Sequence, residues 1–262
     1  MWNAYRIRLT PRIAAMASAE EMSLAPNATY ARMARGGLNY PKDIPLAPAL
    51  SQEDKNQLQH HILVLSNLLG RLRAICSTVH PDKDNLNAFG NDIADTLILA
   101  SIECESLFRD AYSGSVGKTA ASNNRLTTAD YVRLCDPMKL SDYKVRFLKY
   151  PWLLPLAPYS GWEASNPTKS LTWYDAYNGV KHDRLSNIKN GNIGYCLCSI
   201  AAAFVLICAQ FGYSSFRHKH RQLSEELELS SYPTWPKSQL YYSRFWALTD
   251  QENISYTVPY FS

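Results

Sequence analysis

Trp173-Tyr174-Asp175-Ala176-Tyr177-Asn178-Gly179-Val180-Lys181-His182-Asp183-Arg184 is followed by a run from Asn190 to Phe216 that carries no charge. The first stretch sets aromatic, amide, imidazole, cationic and acidic side chains side by side. The second, which includes the 19 uncharged residues Ile193 to Phe211, has the length and composition of a helix buried on all sides. A polar cluster leading directly into such a helix is how a site is held rigid. Glycines at 191 and 194 predict a break between the two. Gly194, Tyr195, Ser199 and Gln210 interrupt the run, so a central core helix is expected and not a membrane span.

Two further helices are legible upstream. Ser51-Gln52-Glu53-Asp54 offers an N-cap followed by first-turn acids. From there Leu58, His61/Ile62, Leu65, Leu68/Leu69, Leu72 and Ile75/Cys76 recur at helical spacing to about Val79, with Pro81 as the stop. The second runs from Asn91 to Tyr112, with Ile93, Leu97, Ala100, Cys104 and Leu107/Phe108 as its core stripe. Its two acids, Glu103 and Glu105, are two residues apart and point about 200° apart, so they cannot face the same site. Glu103 lies nearer the core side through Ala100 and Leu107.

The rest of the chain reads as accessory structure. Trp2 to Leu9 alternates like an edge strand, and residues 11 to 24 have the pattern of a short amphipathic helix. Pro26, Pro41, Pro45, Pro48 and Gly36-Gly37 make the remainder of residues 1–50 an irregular arm. Ser115-Val116-Gly117-Lys118-Thr119 imitates the end of a phosphate-binding loop, but a helix precedes it in place of a strand and the first glycine is missing. Thr127 or Thr128 caps a short helix through Leu134, and Tyr143 to Leu148 alternates like a strand. Pro151, Pro155 and Pro158 among Trp152, Tyr159 and Trp162 form a rigid crossover. The expected layout is therefore an arm over 1–50, a helical core over 51–216 and an aromatic-rich extension over 217–262, mainly α with a few peripheral short strands.

Composition narrows the function classes. Hydrophobic residues make up 46% and charged residues 19% of the 262, enough for a real core. A net charge of +4 permits an acidic partner such as RNA without a histone-like excess. The six cysteines form no CxxC pair, and Cys196 and Cys198 diverge on a helix, so no metal site is expected and the thiols read as reduced, cytoplasmic and mostly buried. Met1 to Ala15 lacks an apolar segment, so no secretory signal is expected. Arg217-His218-Lys219-His220-Arg221 follows the apolar helix, where cations suit the helix dipole and can meet phosphate.

On a helix, Trp173, Tyr177 and Val180/Lys181 share one face, and Tyr174, Asn178 and Lys181/His182 the next. Asn178 and His182 are within reach of each other. The amide can fix the imidazole tautomer or hold a phosphate oxygen, Lys181 and Arg184 can stabilise negative charge, and Trp173 or Tyr174 can stack a base. The candidate catalytic set is thus His182, Lys181, Arg184 and Asn178, with Glu103 approaching from the facing helix to orient His182. The candidate RNA-binding set is Tyr174, Trp173, Arg217 and Lys219. The opposing reading makes the same residues a packing latch.

Tyr177-Asn178-Gly179-Val180-Lys181-His182-Asp183-Arg184 resembles the YNxxKHxR pattern of a set of bacterial proteins. Ile98 to Ser106 and Tyr131 to Trp152 resemble the same set, which together covers residues 85 to 212. Paired helices with a polar histidine motif opening the last one are similar to HEPN domains. These are helical modules of toxin–antitoxin, abortive-infection and CRISPR-linked proteins, many of which dimerise and cut RNA through an Arg-x4-6-His motif. The resemblance implies a homodimeric, RNA- or nucleotide-binding protein without a cofactor, which cleaves RNA without a metal. A non-catalytic scaffold subunit that docks protein partners through its aromatic C-terminus is the alternative. Here His182 matches the histidine, and Asn178 stands four residues upstream where the motif has arginine. Arg73 and His80 fit the spacing formally, but Pro81 follows them and ends a helix.

Overall fold

The computed structural model describes residues 24, 28–35, 50–116, 126–213, 216, 220–236, 239–241, 256–258 and 260–261. The expected strand at Trp2 to Leu9 and nearly all of the expected helix over 11 to 24 lie outside them. The architecture is mainly helical, as the periodicity predicts.

Helix α1 spans Gln52–Cys76. It starts where expected because Ser51 and Asp54 close a reciprocal capping box: the Asp54 amide donates to Ser51 Oγ (3.1 Å) and the Ser51 amide to Asp54 Oδ2 (2.9 Å). His61, Ile62, Leu65, Leu68, Leu69, Leu72 and Ile75 are its buried stripe. Helix α2 spans Asn91–Ser115, one turn longer than expected. The added turn is supported from outside the helix, since the Ser115 carbonyl accepts from the amides of Tyr260 and Phe261. After it come two short turns, α3 (Thr128–Tyr131) and α4 (Cys135–Met138), joined by a 3-10 turn. The Thr127–Asp130 capping box starts the first of them.

Helix α5 spans Thr172–His182, α6 is the single turn Arg184–Asn187, and α7 spans Ile193–Phe211. The helix carrying the motif is therefore shorter than expected. Asp183 leaves helical geometry (φ −145°, ψ 84°) and its Oδ1 caps α6 by accepting from the Ser186 amide at 3.2 Å. Hydrogen bonds from Ser186 also hold the Asp183 carboxyl below the usual carboxylate range. The break before α7 brings Gly191 hard against α2: a Cβ there would lie 2.7 Å from the Ala94 Cβ. Only glycine permits that approach.

Helices α2 and α7 form the most extensive pair and make the centre, with α1 and α5 on its flanks. Helix α7 is long and apolar enough to cross a membrane, but 83% of that segment is buried inside the fold. Small residues at 201, 202 and 203 let neighbours approach its backbone, so that Tyr159 donates to the Ala202 carbonyl at 3.1 Å and Cys104 Sγ lies 3.6 Å from the Ser199 carbonyl. All six cysteines are free thiols, and burial pushes their pKa up at every position from Cys104 to Cys208.

Strand β2 (Lys144–Phe147) pairs antiparallel with β3 (Leu227–Ser231), placing Phe147 opposite Leu227 and Val145 opposite Leu229. The C-terminal extension thus supplies part of the body, with Leu227, Leu229, Trp235 and Tyr241 buried. Strand β1 (Ala28–Tyr30) pairs in parallel with β4 (Tyr256–Val258), joining the N-terminal arm to that extension. The join is reinforced by Arg35, whose guanidinium lies 4.6 Å over the Tyr30 ring and 5.0 Å over Trp235, and by the Tyr241 hydroxyl, which donates to the Met33 carbonyl.

Candidate site at the end of the bundle

The C-terminus of α1, the N-terminus of α2, the C-terminus of α5 and the N-terminus of α7 meet at one end of the bundle. The loop after α1 is stitched to α7 there: Gly194 N donates to the Leu86 carbonyl (2.9 Å) and Ile193 N to the Ala88 carbonyl (3.0 Å). At the same end Arg184 donates to Asp95 Oδ1 (2.7 Å) and to the Asn91 carbonyl (3.1 Å) on α2. The motif is thereby tied down at its C-terminal edge, and the Arg184 charge is spent on Asp95 rather than offered freely to a ligand.

His182 and Lys181 are both exposed at the end of α5, and Asn178 is half-buried one turn earlier. Neither the His182 ring nor the Asn178 amide has a hydrogen-bond partner among the described residues, although their spacing allows contact. Lys181 is positioned from beneath. Its Nζ donates to the Tyr177 hydroxyl at 2.7 Å, and the Tyr177 hydroxyl donates to Glu105 Oε1 at 3.1 Å. The same Glu105 oxygen accepts from Tyr174 at 2.7 Å and lies 4.0 Å from the ammonium. Burial, and then the neighbouring Glu105 carboxylate, push both tyrosine hydroxyls well above their ordinary range, so they remain donors at any working pH. Two hydroxyls and one ammonium thus converge on a single carboxylate.

Two of the expected site contacts give way. Glu103 is on the core side, as expected, yet it does not approach His182. Its Oε1 lies 2.5 Å from Nδ1 of His61 on α1, while Nε2 of the same ring lies 3.3 Å from Asp110 Oδ2. The 200° separation of the two acids holds, with the assignments exchanged: Glu103 faces α1 and Glu105 faces α5. Trp173 and Tyr174 are not stacking surfaces either. Trp173 is buried with its indole N–H on the Pro158 carbonyl at 2.8 Å, and Tyr174 is buried on Glu105. Their period along α5 is that of Ala176, Tyr177 and Val180, which line the core. Arg217 and Lys219 lie outside the described residues.

Glu105 is the residue that spacing alone passes over. Two tyrosines three residues apart on a helix that also buries Trp173 have hydroxyls in need of an acceptor, and an acid on a neighbouring helix is the natural one. Among the described residues no group of three or more His, Cys, Asp or Glu side chains is placed to hold a metal ion. Comparison of the chain with models of known families, with curated proteins and with solved structures gives no match.

Proposed function

We propose that this chain is a cytoplasmic RNA- or nucleotide-binding protein of the HEPN-like, defence- or toxin-associated kind, and that His182 carries a metal-independent cleavage of RNA. One observation supports this most: an exposed imidazole stands unpaired next to an ammonium held by buried Tyr177, itself bonded to half-buried Glu105. In such a cleavage the 2′-hydroxyl attacks the adjacent phosphorus and the 5′-oxygen leaves. An imidazole takes the 2′ proton, and an imidazolium returns one to the departing oxygen. Lys181 would stabilise the charge on the phosphoryl oxygens, and Asn178 would donate its amide N–H to one of them. Metal-independent catalysis of this kind needs two proton-transfer groups, and a homodimer supplies two copies of His182. The face we assign to the second copy is the exposed stripe of α2, where Ile102 is 47% accessible one turn from Leu99, with Leu185 at 92% beside Arg184.

The experiment is cleavage of single-stranded RNA in the presence of a chelator. His182→Ala should abolish it with the fold intact by circular dichroism, and equal cleavage by the variant would end the catalytic assignment. A second reading, a non-catalytic interaction module, is favoured by the commitment of Arg184 to Asp95 and of Trp173, Tyr174 and Tyr177 to the core. On that reading the motif is a latch between α5 and α2, and His182→Gln leaves function unchanged while truncation of the aromatic extension destroys it.

A further inference from the structure

The bundle end that carries His182 also carries an aromatic surface that the motif does not include. Trp152 is 52% exposed although its indole N–H is anchored, donating to the Pro81 carbonyl at 2.7 Å. His80, itself exposed, stacks on it with ring centroids 4.9 Å apart and planes 23° from parallel, and Tyr150 braces its edge at 6.1 Å. A large ring that is rigidly held, stacked by one planar neighbour and still half open to solvent has the form of a stacking platform. The loop after α1 begins at Pro81 against Trp152, and the turn before α7 follows His182 in the chain. They bridge to each other at Phe89 and Asn192, and Phe89 is 48% exposed.

Charge decides what such a track takes. Lys83 in the loop after α1, Lys149 next to Tyr150 and Lys189 in the turn before α7 are exposed and have no partner among the described residues. Asp84 and Asp92 are exposed carboxylates at the same end, whereas three others have fixed partners. Asp82 Oδ1 accepts from the amides of Asp84 (2.8 Å) and Asn85 (3.3 Å), Asp183 caps α6, and Asp95 holds Arg184. Free ammonium groups interleaved with exposed rings suit a flexible polyanion that carries planar groups, and they suit an apolar peptide less well.

Building on the RNA-binding reading above, we propose that single-stranded RNA crosses this end of the bundle, with a base stacked on Trp152 against His80 and its backbone running past Phe89 and Lys189 to Lys181 and His182. The platform sets which strand is bound, and the motif acts on the phosphate delivered to it. Stacking tolerates any base, so the site selects unpaired over paired RNA more strongly than it selects sequence.

The test is fluorescence anisotropy with labelled oligouridylate and oligoadenylate, with a chelator present, at two salt concentrations. Trp152→Ala should weaken binding by about tenfold or more, the usual scale for a lost stacked base. Trp152→Phe, which keeps a ring but loses the bond to Pro81, should retain most of the affinity and so separates stacking from folding. Lys83→Glu and Lys189→Glu should each flatten the salt dependence. Wild-type affinity in Trp152→Ala, equal affinity for a duplex of the same length, or a platform that takes a protein and no RNA would each overturn the proposal. Binding that depends on Trp152 in a protein that cleaves nothing supports the platform while removing the chemistry assigned to His182.

Discussion

Substituting His61 by glutamine should cost stability, and the cost should depend on pH. The ring is 3% exposed, with one nitrogen 2.5 Å from Glu103 and the other 3.3 Å from Asp110. Both nitrogens must donate for both contacts to be hydrogen bonds, so the geometry calls for the imidazolium. Burial alone would lower the pKa, but hydrogen bonds to the two carboxylates and their charges outweigh it and raise it from 6.5 to about 9. That difference corresponds to about 3 kcal/mol of linked stability. Because the folded value is the higher one, the contribution is complete below pH 6.5 and is lost as pH rises from there through about 9. Glutamine carries its two N–H donors on one nitrogen and no charge, so it leaves two acids without a cation, a change that costs about 3–5 kcal/mol in buried pairs. Urea unfolding at a series of pH values from 6 to 9.5 measures both effects. The gap between wild type and His61→Gln should be widest at the acid end and shrink by about 3 kcal/mol toward the alkaline end. The buried cysteine thiols titrate alike in both proteins and cancel in that difference. A gap that stays constant with pH, or imidazole nitrogen shifts of a neutral ring at pH 7, would refute the charged bridge.

Glu105→Leu should destabilise by about 2–4 kcal/mol, since it leaves two tyrosine hydroxyls without their acceptor, whereas Glu105→Gln keeps an acceptor oxygen and should lose clearly less; reversal of that order in urea midpoints would remove Glu105 from the centre of the network. Gly191→Ala places a methyl against Ala94 and should lower stability by about 1–3 kcal/mol, read as a drop in melting temperature; an unchanged melting temperature would show that α2 and the turn before α7 separate easily. If the chain dimerises through the face proposed above, Ile102→Glu should yield a monomer in light scattering with an unchanged circular dichroism spectrum; a wild type that is already monomeric, or a variant of unaltered mass, would remove that interface.

The fold was legible wherever one physical signal dominated. The 3.6-residue period gave α1 and α2, the uncharged length of residues 193–211 gave α7, and the Ser51–Asp54 pair marked where the first begins. Length went astray where ends are settled by distant partners, as at Ser115, whose carbonyl is satisfied by the backbone of Tyr260 and Phe261. The site was half legible. That Lys181 and His182 are exposed at a helix end follows from their place on α5, but aromatic type does not reveal orientation, so Trp173 and Tyr174 read equally well as stacking rings and as core. Charge on a mostly apolar helix is ambiguous in the same way. Nothing local distinguishes Glu103, neutralised by His61, from Glu105, which organises Tyr174, Tyr177 and Lys181; only the direction in which α1 and α5 lie across α2 separates them.

The pairing of β1 with β4 has a consequence for how the molecule matures. A strand made among the first thirty residues acquires its ladder only after residues 256–258 have been synthesised, and closing so long a loop is slow and entropically costly. The central pair α2 and α7 closes a loop of about a hundred residues, as from Leu107 to Gln210, and can form first, while Tyr30 and Arg35 wait for the aromatic partners that come some two hundred residues later. A nascent or prematurely terminated chain would therefore expose an unpaired strand edge, which makes incomplete translation products natural clients for chaperones and proteases.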